Sequence, residues 1–491
     1  MAARYLALDL GAESGRGVVG TFDGTKVTLE EVHRFPNGPV RLGDTLHWDL
    51  PRLFAEGRTA INRAAQTGPL AGIGVDAWGV DFGLLGPRGE LVGLPVHYRD
   101  ARTNGQVECL YDLVSREDVF AQTGIQTMPI NTLFQLAALS EQSPKLLEAA
   151  QTLLFIPDLF HYYLTGQAQS EYTIASTSQM WDARTGTWAT GLLERLNLPT
   201  HLLPSVVPAG TAYGPLRPEE AEGTGAGPVT VYAPAGHDTA AAVAAVPAQG
   251  SGWAFLSSGT WSLLGVEIPA PILTPEAARV NVTNEGGIDG TIRLLKNIGG
   301  LWLVQECRRA WARLGSERTY EQLTRLATES EPLAALVDPD HPTLLSPSDM
   351  PRAIREFCTA TDQTPPEGIG ATIRCCLDSL GFKYRQVLTA LESLTGTPIH
   401  TLHIVGGGTQ NRLLNQIAAD ATGRRVVVGP IEATATGNVL LQAKASGELS
   451  SLADLRNVVR ASFPVETYEP NVQMQQQWED VTAKFSERFR L

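Results

Sequence analysis

The chain has 491 residues, 43% of them apolar and 18% charged, with a formal net charge of -14. That length suggests about three domains or two large ones, each able to bury a core. The acidic excess excludes nucleic acid and anionic membrane as attracted partners, while a small anion held locally by glycine loops, backbone N–H groups and helix starts is still admissible.

The first segment, YLALDLGAESGRGVVGTFDGTKVTLEEVHRF, reads as strand, glycine turn, strand, a type I′ hairpin turn at Asp23-Gly24 and a third strand. A helix follows, with Asp49 as N-cap, Pro51 in its first turn and Leu53, Phe54 and Ile61 on its apolar face. IGVDAW is a buried-type strand, and FGLLGPRGELVG predicts a second hairpin closed by Pro-Arg-Gly. The plan then starts again. WAFLSSGTWSLLGVEI is strand, turn and strand, and TLHIVGGG ends a strand in three glycines before the helix TQNRLLNQIAADATG and the strand RRVVVG. Two α/β halves joined near residue 245, with a cleft between them, are expected. A last helix, within VQMQQQWEDVTAKFSERFRL, spaces Val481, Phe485 and Phe489 at i, i+4, i+8.

Between the elements, Cys109, Cys307, Cys358, Cys375 and Cys376 are too few and too irregular for a disulfide framework, and no paired CxxC offers a zinc site. No leader or membrane span is visible, so a cytoplasmic protein with reduced thiols is expected. Walker A, HExxH and GxSxG are absent.

Several turns carry chemistry. Asp9, Gly11, Gly15 and Arg16 follow a strand in the manner of a phosphate loop, where glycines admit backbone N–H groups to an anion and Asp9 could add a carboxylate for Mg²⁺. LSSGTWS repeats that logic with Thr260 as hydroxyl donor, and Gly406 to Gly408 leave room for a base or ribose. In DAWGVDF, Trp78 reads as a plug while Gly79 and Asp81 face a sugar. HYRDARTNG is a polar loop where further substrate contacts are possible. In AGHDTAAAVAAV an apolar strand gives way to a helix at Asp238, and a carboxylate there, ionised by the helix start, can take a proton from an attacking hydroxyl.

As a set, DLGAESGRG, DAWGVDFGLL, LPVHYRDARTNG, PDLFHYYLTG, GHDTAAAV, LSSGTWSLLG, NEGG, LLKNIGGLWLVQE and HIVGGGTQNRLLNQ followed by GPIEATATGN resemble the FGGY family of carbohydrate kinases, in consistent order from about Tyr5 to about Asn438. The resemblance implies an α/β fold of two ribonuclease H-like domains of the actin and hexokinase type with an interdomain cleft. Residues 1–244 would bind sugar and carry the first phosphate loop; residues 245–491 would carry the second loop and the adenosine site. ATP would meet Ala12, Glu13, Ser14, Gly15, Arg16, Thr260, Asn297, Gln305 and Gly407. The sugar would meet Gly79, His237, Asp238 and Thr239, with Asp238 as general base and Asp9 near Mg²⁺ through water. One departure is Ala12-Glu13, where the family favours small hydroxyl residues; Glu13 would have to face away and leave phosphate contact to the backbone.

The implied activity is transfer of the ATP γ-phosphoryl group to the 1-hydroxyl of L-rhamnulose. L-fuculose, a xylulose, or a non-catalytic sugar and ATP sensor are the alternatives. The partners expected are a small ketose and ATP, with no nucleic acid and no membrane, in a monomer or homodimer.

Overall fold

The computed structural model describes residues 2–485, and the chain forms two compact units. The first comprises Met1–Pro247, Glu267–Leu294 and Ala433–Phe463; the second comprises Ala248–Val266, Leu295–Glu432 and Pro464–Leu491.

In the first unit the expected meander forms: β1 (Ala3–Leu10), β2 (Ser14–Phe22) and β3 (Val27–Pro36) are antiparallel neighbours. Asp23 closes the second turn by accepting from the N–H groups of Thr25 and Lys26 at 2.8 Å each, but only Gly24 takes the left-handed backbone, at φ +97°, so the hairpin forms without the expected type I′ turn at Asp23-Gly24. Helix α1 (Leu50–Gln66) begins at Asp49, whose carboxylate accepts from Arg52 N–H. Strand β4 (Gly72–Ala77) then pairs parallel to β1. With β5 (Thr211–Pro215) and β6 (Thr230–Ala233) the sheet order is β5-β6-β4-β1-β2-β3. Strand β4 is buried at every position, as a central parallel strand must be, so its sequence shows no alternation. Leu6, Leu8, Leu10, Ile73 and Val75 are at most 1% exposed, each contributing about 1.5–3 kcal/mol of apolar burial.

Helix α2 (Asp238–Ala244) is built of small residues, and α3 (Ala433–Ala445) meets it at a glycine: a Cβ on Gly437 would lie 1.8 Å from the carbonyl oxygen of Ala241. The two helices thus pack backbone against backbone.

The second unit repeats the plan. Strands β7 (Trp253–Ser258) and β8 (Trp261–Ile268) are antiparallel, as β1 and β2 are. The remaining strands are β9 (Thr283–Gly286), β10 (Ile292–Gly299), β11 (Thr401–Val405), β12 (Arg425–Val428) and β13 (Glu466–Tyr468). Strand β11 pairs parallel to β7, as β4 does to β1. Within this unit β8, β7, β11, β12 and β13 are successive neighbours in the sheet. In each unit an antiparallel pair opens the sheet and a later strand pairs parallel to the first of them, the ribonuclease H-like plan in duplicate.

One further local expectation needs revision. FGLLGPRGELVG does turn, with Gly86 N–H donating to Glu90 O at 2.8 Å, but only an isolated bridge, Leu85 to Leu91, joins its arms. Phe82–Leu85 pairs instead with Thr152–Phe155, a longer ladder between two apolar strands. At the far end, the helix Val472–Phe485 buries Trp478 and Phe485, with Val481 half-buried; Phe489 lies outside the described residues. All five cysteines are free, and among the described residues no helix is long and apolar enough to cross a membrane.

Candidate active site

In the first unit, the turn between β1 and β2 is closed by Gly11 N–H donating to Ser14 O at 3.0 Å. Asn37 pins it twice, donating from Nδ2 to Gly11 O at 2.8 Å and from its backbone N–H to Glu13 O at 2.9 Å. Ala12, Glu13 and Ser14 are half-buried. Gly15 is buried, and a Cβ there would lie 2.3 Å from the Phe35 ring, so this glycine also meets a packing need. Arg16 faces Asp9 across the β1/β2 register and donates to its Oδ2 from Nε at 2.9 Å and from the terminal nitrogen at 2.6 Å.

Asp76, which the sequence reading passed over, is the parallel-register neighbour of Asp9. It is fully buried; Oδ2 accepts from Asn438 Nδ2 at 2.6 Å, and Oδ1 has no hydrogen-bond partner among the described residues. Burial, and then the charge of Asp9, hold the Asp76 carboxyl well above the usual range. Its signal in sequence was a lone carboxylate inside an apolar strand.

Helix α2 starts at Asp238, with His237 as N-cap. The turn before it hangs on Glu171, a buried carboxylate that accepts from Gly236 N–H at 2.8 Å and from Thr173 and Ile174 N–H at 2.8 and 3.2 Å. The Thr173 hydroxyl in turn accepts from His237 N–H at 3.2 Å. Burial pushes Glu171 up to about 7 against those donors. Asp238 uses one oxygen for its own anchoring: Oδ1 accepts from Thr239 N–H at 2.5 Å and from Thr239 Oγ1 at 3.1 Å, with His237 Nε2 3.5 Å away. No described residue hydrogen-bonds Oδ2. The side chain stays 30% exposed. Burial of the remainder raises its pKa; His237 opposes that shift and the charge of Asp9 adds to it. A carboxylate anchored through one oxygen, with the other open and its proton affinity raised, is suited to accept a proton.

Gly79 lies beside this pair. A Cβ there would sit 3.4 Å from both His237 Nε2 and Thr177 Oγ1, so the bare glycine leaves space in front of the imidazole. Val80 next to it has φ +68°, a strained backbone for a β-branched residue. It is held by Thr177 Oγ1, which accepts from Val80 N–H at 3.3 Å, and by Thr132 Oγ1, which donates to Val80 O at 2.7 Å. Asp81 does not face a sugar. It is fully buried, and its carboxylate accepts from the indoles of Trp48 and Trp78 at 2.6 and 3.0 Å, from Tyr98 N–H at 3.2 Å and from Gln135 Nε2 at 2.8 Å. Fully buried, with three donors on Oδ2 and one on Oδ1, it is closed off from a sugar hydroxyl, and the tryptophan plug is built around it.

In the second unit the turns after β7 and β10 are zipped together: Leu301 N–H donates to Gly259 O and Trp302 N–H to Thr260 O, both at 3.1 Å. Gln305 Nε2 donates to Thr260 Oγ1 at 3.2 Å, so two residues expected at ATP touch each other. Asn297 is half-buried on β10. Of the three glycines after β11, Gly406 and Gly408 are packed against Ser258, where a Cβ would lie 3.0 and 2.0 Å from its atoms. Gly407 between them is exposed and meets nothing within 4 Å, which is the open backbone a flat ligand needs.

Among the described residues no group of three or more His, Cys, Asp or Glu side chains could hold a metal ion. A Mg²⁺ arriving with phosphates needs fewer, since it keeps waters and uses one or two carboxylates. The charge of Asp9 raises the carboxyl pKa of both Asp76 and Asp238, a repulsion that such a cation would relieve.

Comparison with known proteins follows the same lines. Residues 4–245 match the FGGY family of carbohydrate kinases, N-terminal domain, and residues 254–446 match its C-terminal domain. The chain is 45% identical to a rhamnulokinase of Bacteroides thetaiotaomicron over 96% of both chains. It is 41% identical to a rhamnulokinase of Pectobacterium atrosepticum over 95% of this chain and 93% of that one. Among solved structures, a gluconate kinase from Lactobacillus acidophilus superposes with a TM-score of 0.82 at 15% identity, covering 99% of this chain and 98% of the other, which speaks for the fold alone. On the two family matches and the identity to these relatives, the chain belongs to the FGGY family of carbohydrate kinases.

Proposed function

We propose that the protein transfers the γ-phosphoryl group of ATP to the 1-hydroxyl of L-rhamnulose, giving L-rhamnulose 1-phosphate and ADP in the use of L-rhamnose. The choice of sugar is supported by the rhamnulokinase relatives. The mechanism is carried by one observation, the Asp238 carboxylate anchored through Oδ1 and open at Oδ2. Oδ2 accepts the proton of the sugar hydroxyl as its oxygen attacks the γ-phosphorus, and the bond to the ADP oxygen breaks in line. Gly79, His237 and Thr239 hold the sugar. The backbone from Ala12 to Arg16, with Thr260, Asn297, Gln305 and Gly407, holds the nucleotide. Mg²⁺, held by Asp9 through water, would offset the charge of the phosphates.

The test is ADP release with MgATP and a panel of L-rhamnulose, L-fuculose and D-xylulose, using the wild type and Asp238→Asn. The amide oxygen can keep both Thr239 bonds, which leaves an NH₂ donor where the acceptor stood. The expected loss in kcat is about 10²- to 10⁴-fold, and the acid limb of the wild-type profile should lie above the ordinary aspartate value near 4 because the base works ionised. Another preferred ketose would change the substrate and keep the mechanism. ATP binding without any sugar-dependent ADP would point to the sensor instead.

A further inference from the structure

The segment NEGGIDGTIRL, residues 284–294, has no part in the reaction above, yet it brings two buried charges to the ring of His237. Arg293 is 0% exposed and Glu285 4%. The terminal nitrogens of Arg293 reach His237 Nδ1 at 3.1 Å and Glu285 Oε2 at 3.2 Å, and its Nε donates to Gly286 O at 2.8 Å. Gly286 is itself held: its N–H donates to Ser176 Oγ at 2.8 Å, and its bare Cα lies against Tyr172, whose ring a Cβ would approach to 2.5 Å. The guanidinium is therefore fixed from three sides.

We infer that Arg293, backed by Glu285, is a positioning residue that locks His237 in the tautomer carrying its proton on Nε2, the nitrogen that faces Asp238 and the space beside Gly79. A guanidinium has donors only, so a hydrogen bond between it and Nδ1 requires the ring nitrogen to accept. A neutral imidazole that accepts at Nδ1 is protonated at Nε2. Nε2 lies 3.5 Å from Asp238 Oδ1 and 3.4 Å from where a Gly79 Cβ would stand, so the N–H is presented where the sugar is proposed to bind. Glu285 Oε2 is also 3.2 Å from Nδ1. In the neutral ring only one of the two contacts can be a hydrogen bond at a time; with Arg293 as donor, Glu285 serves to balance the guanidinium. A buried ion pair of this kind adds little stability over apolar packing of equal volume, whereas a donor of fixed direction improves orientation at a reacting hydroxyl.

The inference rests on the reading of His237 as a sugar contact, and its test separates the two. Ring ¹⁵N NMR of ¹⁵N-histidine protein reads the tautomer directly, with His237 assigned among nine histidines by its loss in His237→Asn. The wild type should show His237 protonated at Nε2. The charge-balanced Arg293→Met/Glu285→Gln variant should show tautomer exchange, and Arg293→Lys, which still donates, should keep the wild-type form. In kinetics the double variant should lose on the order of 10²-fold in kcat/KM for the ketose, with the KM for ATP within about twofold and most of the loss restored by lysine. A proton on Nδ1 in the wild type, or an unchanged sugar kcat/KM in the folded double variant, overturns the inference. If the double variant does not fold, the wild-type tautomer and Arg293→Lys still decide. The expected tautomer with no turnover of any ketose by the wild type would sink the kinase reading and leave the ring assignment standing.

Discussion

Gly79→Ala is expected to impair sugar use while leaving the fold intact. The added Cβ would lie 3.4 Å from His237 Nε2 and 3.4 Å from Thr177 Oγ1, at the edge of ordinary contact, so it displaces no backbone. Where the backbone is compatible, the exchange even gains about 0.4–1 kcal/mol through the unfolded chain. The cost falls on the ligand. A methyl group over the imidazole N–H keeps a sugar hydroxyl from reaching it, and an unmade hydrogen bond to a buried donor costs about 1–3 kcal/mol. At about 1.36 kcal/mol per decade, that is roughly 5- to 150-fold in kcat/KM for the ketose. Steady-state ADP release with the sugar varied at saturating MgATP measures it, beside thermal unfolding of both proteins. A kcat/KM within about twofold of the wild type, with Tm unchanged, would refute the placement of sugar at this glycine.

Gly437→Ala acts on the same site from behind: its Cβ would meet the Ala241 carbonyl at 1.8 Å, so α2 must shift. The expected cost is about 3 kcal/mol or more in denaturant unfolding, with a fall in kcat because Asp238 rides on that helix; unchanged stability would show that the contact is not made. Trp48→Phe removes the 2.6 Å indole donor from Asp81, whose carboxyl burial pushes up to about 6 against the Gln135, Trp48 and Trp78 donors. Since the folded state then holds a proton between about pH 4 and 6 that the unfolded chain has released, Asp81 alone makes stability fall by about 3 kcal/mol as pH rises through that window. The indole favours the ionised form present above it, so the variant should lose about 1.5–3 kcal/mol at pH 8 and less at pH 5; equal losses at both would contradict the titration.

The sequence by itself determined what depends on neighbours a few residues apart. The hairpin at Asp23-Gly24, though not its type I′ turn, the Asp49 cap and the duplicated strand-turn-strand openings follow from local donors, acceptors and glycine freedom. The motifs that carry the family resemblance were legible for the same reason, because loops that approach ligands concentrate glycine and polar residues in short runs. Tertiary structure alone decided the rest. Phe82–Leu85 reads as half of a hairpin, but its better partner lies about seventy residues on at Thr152–Phe155. Asp81 reads as a sugar acceptor until Trp48 and Gln135 arrive from distant elements to use its lone pairs. Glu171, Glu285 and Arg293 reach the His237 turn from 65, 48 and 56 residues away, as the separations between their positions show. Sequence pattern reports what a residue can offer; only the packed chain settles which distant groups arrive to claim it.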